Sequence, residues 1–444
     1  MDFSEKLKSA GVIGAGGAGF PAYVKAQSKA EIIIMNAAEC EPLLKKDQKI
    51  LEHFAETSLD GLELMMKSTS AAQGAIGIKK KHAKIIKRLE DSVKTRKNLK
   101  IHLLGDYYPA GDEFCLVYEI TGRLVPMGGI PIEVGVVVNN VETLYNAAKA
   151  ERTPVVEKFF TVAGAVKKPA TFRLPVGMTY LEAVNLAGGV RCADAVGIDG
   201  GPMMGNLLGS FEAPVTKISS GVIVLPRNHP LAIKKTAGES VFSRTGKSAC
   251  DQCSYCTELC PRYLLGHKIQ PHKVMRSLLF SGADRKPLNE HGLICCECSL
   301  CSLYSCPENL DPKNVCASAK KYLRERNIGV KNSAIDFKSE FKIHPLREDR
   351  KTPVSKLIER LGLKDFNVEA EFEDADYRPE KVRILLSQHT GVPCSPCVST
   401  GQKVKKGDMV GEVPFGKLGC PVHASIDGIV SKINEKYVEI NSKE

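Results

Sequence analysis

The fold class that the sequence predicts is a multidomain α/β protein, and three observations predict it. Apolar strand-like runs alternate with helical stretches across residues 1–152. Two dense cysteine runs then lie between Cys250 and Cys306. Residues 381–444 read as short alternating strands with Gly-Asp and Asp-Gly turns, the pattern of a compact all-β sandwich. At 444 residues and 43% hydrophobic content, the chain can fill two to four such domains.

The first domain, residues 1–152, opens with a short helix and then GVIGAGGAGFPAYVK from Gly11. Gly14, Gly16, Gly17 and Gly19 let the backbone approach a phosphate or a ring, where a side chain would block it. A tight turn is the alternative, because no apolar strand precedes the loop as a dinucleotide fingerprint requires. A buried strand follows at 30–37 and runs into NAAECEPLLKKDQ, which crowds Glu39 and Glu41 at a strand end, where ligands gather in open α/β sheets. These acids fit a ribose or nicotinamide contact, or a cap on the helix expected at 44–67. Strands at 74–78 and 100–104 flank a basic helix, and GVVVNNVETLYNAAKA from Gly135 adds another strand and helix. Asn139 and Asn140, at that junction, can bond a ring or a phosphate or can cap the helix.

The second domain, residues 153–235, shows a strand at 159–166, a KKP turn, a further strand and a helix closed by Gly188 and Gly189, a β-grasp-like order. GGPMMG and the strand GVIVLP complete it, and Met203 and Met204 read as packing residues. Residues 236–330 hold the cysteine runs. Residues 331–380 are charged and proline-punctuated, and read as a linker or docking segment around one helix at 354–361.

The cysteine runs carry the most specific chemistry. CDQCSYCTELCP supplies Cys250, Cys253, Cys256 and Cys260; CCECSLCSLYSCP supplies Cys295, Cys298, Cys301 and Cys306. Such runs, each closed by Cys-Pro, wrap three corners of an iron–sulfur cube, and the fourth thiolate serves the other cluster. The sets expected for two [4Fe–4S] clusters are therefore Cys250, Cys253, Cys256 with Cys306, and Cys295, Cys298, Cys301 with Cys260. Zinc is the competing reading, but a zinc site usually takes two separated pairs. Cys296 reads as a bystander and Cys316 as a buried structural thiol.

The formal charge of +11 raises the question of nucleic acid. Two clusters and a bound phosphate would offset much of it, and the basic run Lys79, Lys80, Lys81, Lys84, Lys87 and Arg88 has helical spacing with few aromatics. It reads as a solvated helix face rather than a nucleic-acid patch. With no apolar signal region and no run of roughly 18 apolar residues, the chain is expected in the cytosol, without a membrane span.

GAGGAGFPAYVK, NAAECEP and VNNVETL together are similar to the flavin- and NADH-binding subunit of respiratory complex I. Over essentially its whole length the chain resembles the RnfC-like electron-transfer proteins: flavin domain, β-grasp (SLBB) unit, GGPMMG, PVTK, paired cluster motifs and a barrel-sandwich module ending in HASIDGIV. In RnfC itself the sandwich is N-terminal, so the order here resembles the cobalamin reductase branch. Cys394-Ser-Pro-Cys397, with Cys420 in a neighbouring turn, departs from that branch. It is similar to the proline reductase-associated branch, found in amino-acid-fermenting bacteria and including selenocysteine-bearing members.

The resemblance implies FMN, NADH and two [4Fe–4S] clusters. Gly14, Gly16, Gly17, Gly19, Lys25, Asn139 and Asn140 would hold flavin phosphate and ring, and Glu39 and Glu41 would orient flavin or nicotinamide. Cys394 and Cys397 would form a catalytic dithiol relay; a metal half-site or buried thiols are the alternatives. The expected activity is electron transfer from NADH to a reductase partner, with proline reductase favoured. One alternative is a cobalamin reductase with corrinoid as substrate, working with microcompartment enzymes. The other is a non-catalytic docking subunit of an Rnf-type complex at the membrane periphery.

Overall fold

The computed structural model describes residues 1–374 and 377–442; residues 375–376 of the expected linker and 443–444 of the expected sandwich lie outside that range. In the first domain, β1 (Ile32–Ala37), β2 (Gln73–Lys79), β3 (Leu99–Leu104), the two-residue β4 (Tyr107–Tyr108) and β5 (Val136–Asn140) follow in chain order. The sheet order is β3-β2-β1-β5 with every pair parallel. β1 reads IIIMNA because both of its faces are covered. Helices Lys46–Thr69 and Val141–Lys149 pack one face through Ile50, Leu59 and Leu144. Helix Glu113–Thr121 packs the other through Leu116 and Val117. The long helix breaks at Phe54, whose φ is −131°, and the Phe54 ring sits edge-on to Tyr145 and Phe372.

The basic run divides between two elements. Lys79 ends β2, is buried and pairs with Asp106 at 3.0 Å, so it belongs to the core rather than to a solvated helix face. The helix itself begins only at Ala83.

The β-grasp unit contains β6 (Glu157–Gly164), β7 (Ala170–Pro175), β8 (Ala195–Asp199), β9 (Asn206–Leu207) and β10 (Gly221–Pro226). Helix Tyr180–Leu186, opened by a Thr179/Glu182 capping box, packs on it through Ala183 and Val184. The segment expected as a linker or docking segment carries the expected helix, at Val354–Arg360, and docks on two domains. Its β11 (Thr352–Pro353) pairs with β4 of the first domain, and its β12 (Glu371–Glu373) extends the β-grasp sheet beside β7. Proline and charge there mark edge strands that end quickly, a pattern composition alone does not separate from a loop.

The cysteine domain is a set of short helices around the longer Pro312–Arg324. The C-terminal module has two sheets. β13 (Lys381–Leu385), β14 (Ser395–Pro396), β15 (Lys403–Val404), β16 (Met409–Glu412), β17 (Val422–His423), β18 (Gly428–Ile433) and β19 (Tyr437–Asn441) form β13-β19-β18-β15 and β14-β16-β17. Val382, Ile384, Val410, Val430 and Ile440 fill the space between them. Among the described residues, no helix is long and apolar enough to cross a membrane.

Candidate functional site

The glycine loop does not follow a strand; it links helix Phe3–Ser9 to helix Ala22–Ala26, which is why it lacks a dinucleotide fingerprint's context. Its ends are tied together, since Gly14 N donates to Phe20 O at 2.8 Å and Gly19 N to Gly14 O at 3.2 Å. Between them Gly16, Gly17 and Ala18 are exposed. Among the described residues their amides donate to no protein acceptor. Gly17 has φ +108° and open space where a Cβ would stand. Three free amides on an open turn suit the phosphate of FMN.

The loop rests against the carboxyl ends of β1 and β5, where Met35 is level with Asn139 and Asn36 with Asn140. A Cβ on Gly16 would lie 3.5 Å from the Asn140 side chain. Asn139 is buried and its Nδ2 has no hydrogen-bond partner, an orphan donor that fits a ring acceptor. Asn140 caps helix Val141–Lys149 through Glu142 N and donates to Asp47 at 2.7 Å. Lys25 donates to Val138 O at 2.6 Å, which aims its ammonium at the same strand end. The cofactor residues expected from sequence thus converge on one edge of the sheet.

Behind the loop lies a buried charge network. Glu142 accepts from Lys46 at 3.1 Å, from Lys158 and from Phe159 N. Lys46 also pairs with Asp47 at 2.6 Å, and Lys158 donates to Ala15 O at 3.3 Å. Burial lowers Lys158 to about 8 despite the neighbouring Glu142. Removing one partner of such a network costs about 3–5 kcal/mol, because a buried charge is left unpaired.

Glu39 and Glu41 are both engaged by protein. Glu39 accepts from Asp47 N at 3.1 Å, and burial, then Asp47, raise it to about 8. Glu41 accepts from Met203 N and Met204 N at 2.8 Å each, so the GGPMMG turn clasps its carboxylate, and burial raises its pKa. A Cβ on Gly201 would lie 2.2 Å from Glu41 Oε2, which accounts for glycine there. Both acids bind backbone amides of the chain itself: Glu39 at the first turn of helix Lys46–Thr69, close to the capping role that the sequence allowed, and Glu41 in the GGPMMG turn, which is no helix cap.

The sandwich module also reaches the glycine loop. Thr390 N donates to Gly19 O at 2.9 Å, and Thr390 Oγ1 to Ala18 O at 2.8 Å. The buried Lys217, from PVTK, donates to Gly11 O at 3.0 Å and Pro421 O at 3.1 Å, while its own amide donates to Gln388 Oε1 at 2.8 Å. Thr390, Lys217, Tyr108 and the Glu142 network were not singled out from sequence. PVTK was a visible signal, but its partners lie about 200 positions away at both ends of the chain.

Within the two cysteine runs, four residues other than glycine adopt positive φ: Gln252 (61°) and Ser254 (66°) in the first, Glu297 (56°) and Ser299 (62°) in the second. They occupy matching places, which aligns Cys250, Cys253 and Cys256 with Cys295, Cys298 and Cys301, and leaves Cys296 without a counterpart. This conformation costs L-residues about 1–2 kcal/mol, and it recurs at the same places between the thiols of both runs. Donors already face the sulfurs: Gln252 Nε2 to Cys250 Sγ at 3.1 Å, Glu297 N to Cys295 Sγ at 3.4 Å and Leu310 N to Cys306 Sγ at 3.3 Å. Burial, then Cys250, Cys306 and Cys253, push Cys256 up to about 12. Burial, then Cys295, Cys256 and Cys260, hold Cys301 well above the ordinary thiol range. The neighbours of each thiol thus include the crossing cysteine, and this crowding suits thiolates shared with iron. Cys316 is buried in helix Pro312–Arg324, in the cluster that Cys295 packs against.

Cys394 and Cys397 differ. Cys394 is buried and donates to Cys420 O at 3.2 Å, and Cys397 is exposed and donates to Met409 O at 3.4 Å. Burial raises Cys394 to about 11 and Cys420 to about 12, against the pull of Lys217, and raises Cys397 as well. An activated thiol needs the opposite shift.

The comparisons with known proteins follow the same order. The family model of the Nuo51 FMN-binding domain matches residues 7–149, the SLBB domain 159–207, the 4Fe-4S dicluster domain 249–311 and the RnfC barrel sandwich hybrid domain 363–444. The chain is similar to the cobalamin reductase PduS of Citrobacter freundii, 40% identical over 98% of this chain and 95% of that one. The PduS of Salmonella typhimurium is also 40% identical, over 99% and 96%. A component of the Na(+)-translocating ferredoxin:NAD(+) oxidoreductase complex of Acetobacterium woodii is 34% identical over 58% of this chain and 57% of its own. Among solved structures, an NAD+-reducing [NiFe]-hydrogenase in the H2-reduced state shares the fold at TM-score 0.50 and 22% identity, over 73% of this chain and 62% of that one. The chain belongs to the PduS- and RnfC-like family of NADH-dependent flavo-iron–sulfur oxidoreductases.

Proposed function

We propose that this protein is a cobalamin reductase, passing electrons from NADH to a corrinoid. The observation that carries the reading is the full-length match to two cobalamin reductases, in which all four modules keep one order. The sequence-based preference for a proline reductase partner rested on Cys394 and Cys397, and the raised pKa values of those thiols do not favour it.

Each group of residues has a part in this reading. The amides of Gly16, Gly17 and Ala18 bind the FMN phosphate, Lys25 adds positive charge, and Asn139 Nδ2 donates to the ring. Bound FMN supplies the exchange between two-electron nicotinamide chemistry and one-electron cluster chemistry. Glu142, Lys46 and Lys158 hold the loop's inner side rigid. Glu39 and Glu41 fix the floor of the site through Asp47 and the Met203–Met204 amides. The two crossing cysteine sets carry electrons away singly.

The test is anaerobic mixing of reconstituted holoprotein with NADH and aquocobalamin, followed by visible absorbance. Corrinoid reduction at a rate dependent on the protein is expected. NADH oxidation with artificial acceptors but none with corrinoid would overturn the acceptor assignment. No NADH oxidation with any acceptor would favour a docking subunit.

A further inference from the structure

The two cysteine sets stand in different surroundings. Cys298 belongs to the core that joins the cysteine domain to the first domain, with Tyr108, Leu43, Leu44 and Met203. Tyr108 Oη donates to Cys298 O at 2.7 Å, and the tyrosine is fully buried among Glu41, Cys298, Cys40 and Cys296. One side chain therefore spans the distance between the end of β1, where the flavin residues converge, and the second cysteine set.

A second tie lies beside it. Arg262, two residues after Cys260, pairs in bidentate fashion with Asp112, one bond being 2.9 Å, and stacks 3.7 Å from the Phe114 ring centroid. Asp112 is the N-cap of helix Glu113–Thr121 in the first domain. Cys260 and Cys298 are thus both anchored to the flavin domain, and Cys260, Cys298 and Cys301 are all buried.

The first set lies on the far side. Cys250 and Cys306 pack against helices Glu239–Ala249, Pro271–Arg276 and Pro312–Arg324, through Phe242, Val274, Met275 and Val315, and of the other set only Cys295 borders this cluster among the described residues. None of these residues belongs to the first domain. Asp251, Cys253 and Tyr255 are exposed, Tyr255 by 51%. Cys256 and Cys301 are neighbours, so the two sets adjoin.

We propose that this asymmetry sets the direction of electron flow: electrons enter at the set Cys260, Cys295, Cys298, Cys301 beside Tyr108, and leave from the set Cys250, Cys253, Cys256, Cys306 at the Asp251–Cys253–Tyr255 surface. Each NADH would give a hydride to bound FMN and leave as NAD+, and the reduced flavin would release the proton to solvent as its two electrons cross in two successive one-electron transfers. Each of those one-electron transfers would oxidise one centre as it reduces the next. The partner class at the exit is a one-electron acceptor that approaches the surface and needs no enclosed pocket. The order rests on the ligand sets assigned above, and it holds whichever acceptor is used.

Two variants of the reconstituted holoprotein, Cys253→Ser and Cys298→Ser, test it by iron content and low-temperature EPR. Each should fall from about eight to about four iron per chain. In C253S the remaining cluster should still be reduced by NADH, while reduction of aquocobalamin falls at least tenfold. In C298S the remaining cluster should be silent with NADH and appear only with dithionite. The reverse pattern, or NADH-reducible clusters in both variants, would overturn the order; unchanged iron would overturn the ligand sets instead. If either variant fails to fold, the wild-type holoprotein decides. Treated with an iron chelator and iodoacetamide, it should lose about half its iron as Cys250, Cys253, Cys256 and Cys306 are alkylated first. Alkylation of Cys295, Cys298 and Cys301 first would overturn the proposal.

Discussion

Two regions of this chain carry a Cys-x-x-Cys motif, and their backbones differ more than their sequences. In the runs from Cys250 and Cys295, the residues between and after the thiols take up left-handed conformations at matched positions, and amide donors face the sulfurs. At Cys394-Ser-Pro-Cys397 the intervening Ser395–Pro396 forms an ordinary antiparallel pair with Glu412 and Gly411. One thiol is directed inward and the other to the surface. The first arrangement accepts backbone strain to gather thiols, whereas the second carries none and leaves them protonated. Spacing alone cannot make a ligand set; the turn geometry between the cysteines does.

The largest effect that would break this contrast is on iron. Cys301→Ala should remove about half of the bound iron, whereas the Cys394→Ser/Cys397→Ser double variant should keep about eight per chain and oxidise NADH within about twofold of wild type. Loss of iron from the double variant, measured by colorimetric assay, would erase the distinction. Next comes the strain itself. Ser299→Val places a β-branched residue at φ 62°, which costs at least the ~1–2 kcal/mol of an L-residue there. Reconstitution with limiting iron should then fill about one cluster rather than two, and Ser299→Gly should restore both.

The sandwich module instead acts on the flavin loop through Thr390. Thr390→Val removes one hydrogen bond, to Ala18 O, and should weaken FMN binding about fivefold by fluorescence titration, with Thr390→Ser close to wild type. The smallest effect is that of pH on the sandwich thiols. Cys394, raised to about 11 from an ordinary 9.0, holds its proton longer in the folded than in the unfolded chain. Its contribution to stability is therefore full below about pH 9 and is lost as pH rises toward 11. Alkylation of Cys394, followed by mass spectrometry, should be slow at pH 7.5 and rise about tenfold per pH unit up to that range.

Much of the fold was legible because it rests on local patterning. The IIIMNA run of β1, the VVVNN run of β5 and the alternating C-terminal strands each state their own period. The dicluster domain was legible for the same reason, since its cysteines lie within two short windows. In the expected linker or docking segment the helix was legible but the strands were not, because β11 and β12 are two and three residues long, and their strand character comes from β4 and β7. Lys79 was misread because only its partner Asp106 shows that it is buried.

The sequence by itself determined the modules, their order, the glycine turn and the two cysteine runs. These depend on φ/ψ preference, apolar period and the spacing of like ligands along one chain. Only the tertiary structure decided what lies between the modules. It placed Tyr108 against Cys298, Arg262 against Asp112, the GGPMMG amides on Glu41 and Thr390 on the glycine loop. Each is a contact between residues about 150 or more positions apart, held by one or two hydrogen bonds, and such a bond leaves no period in the sequence to read.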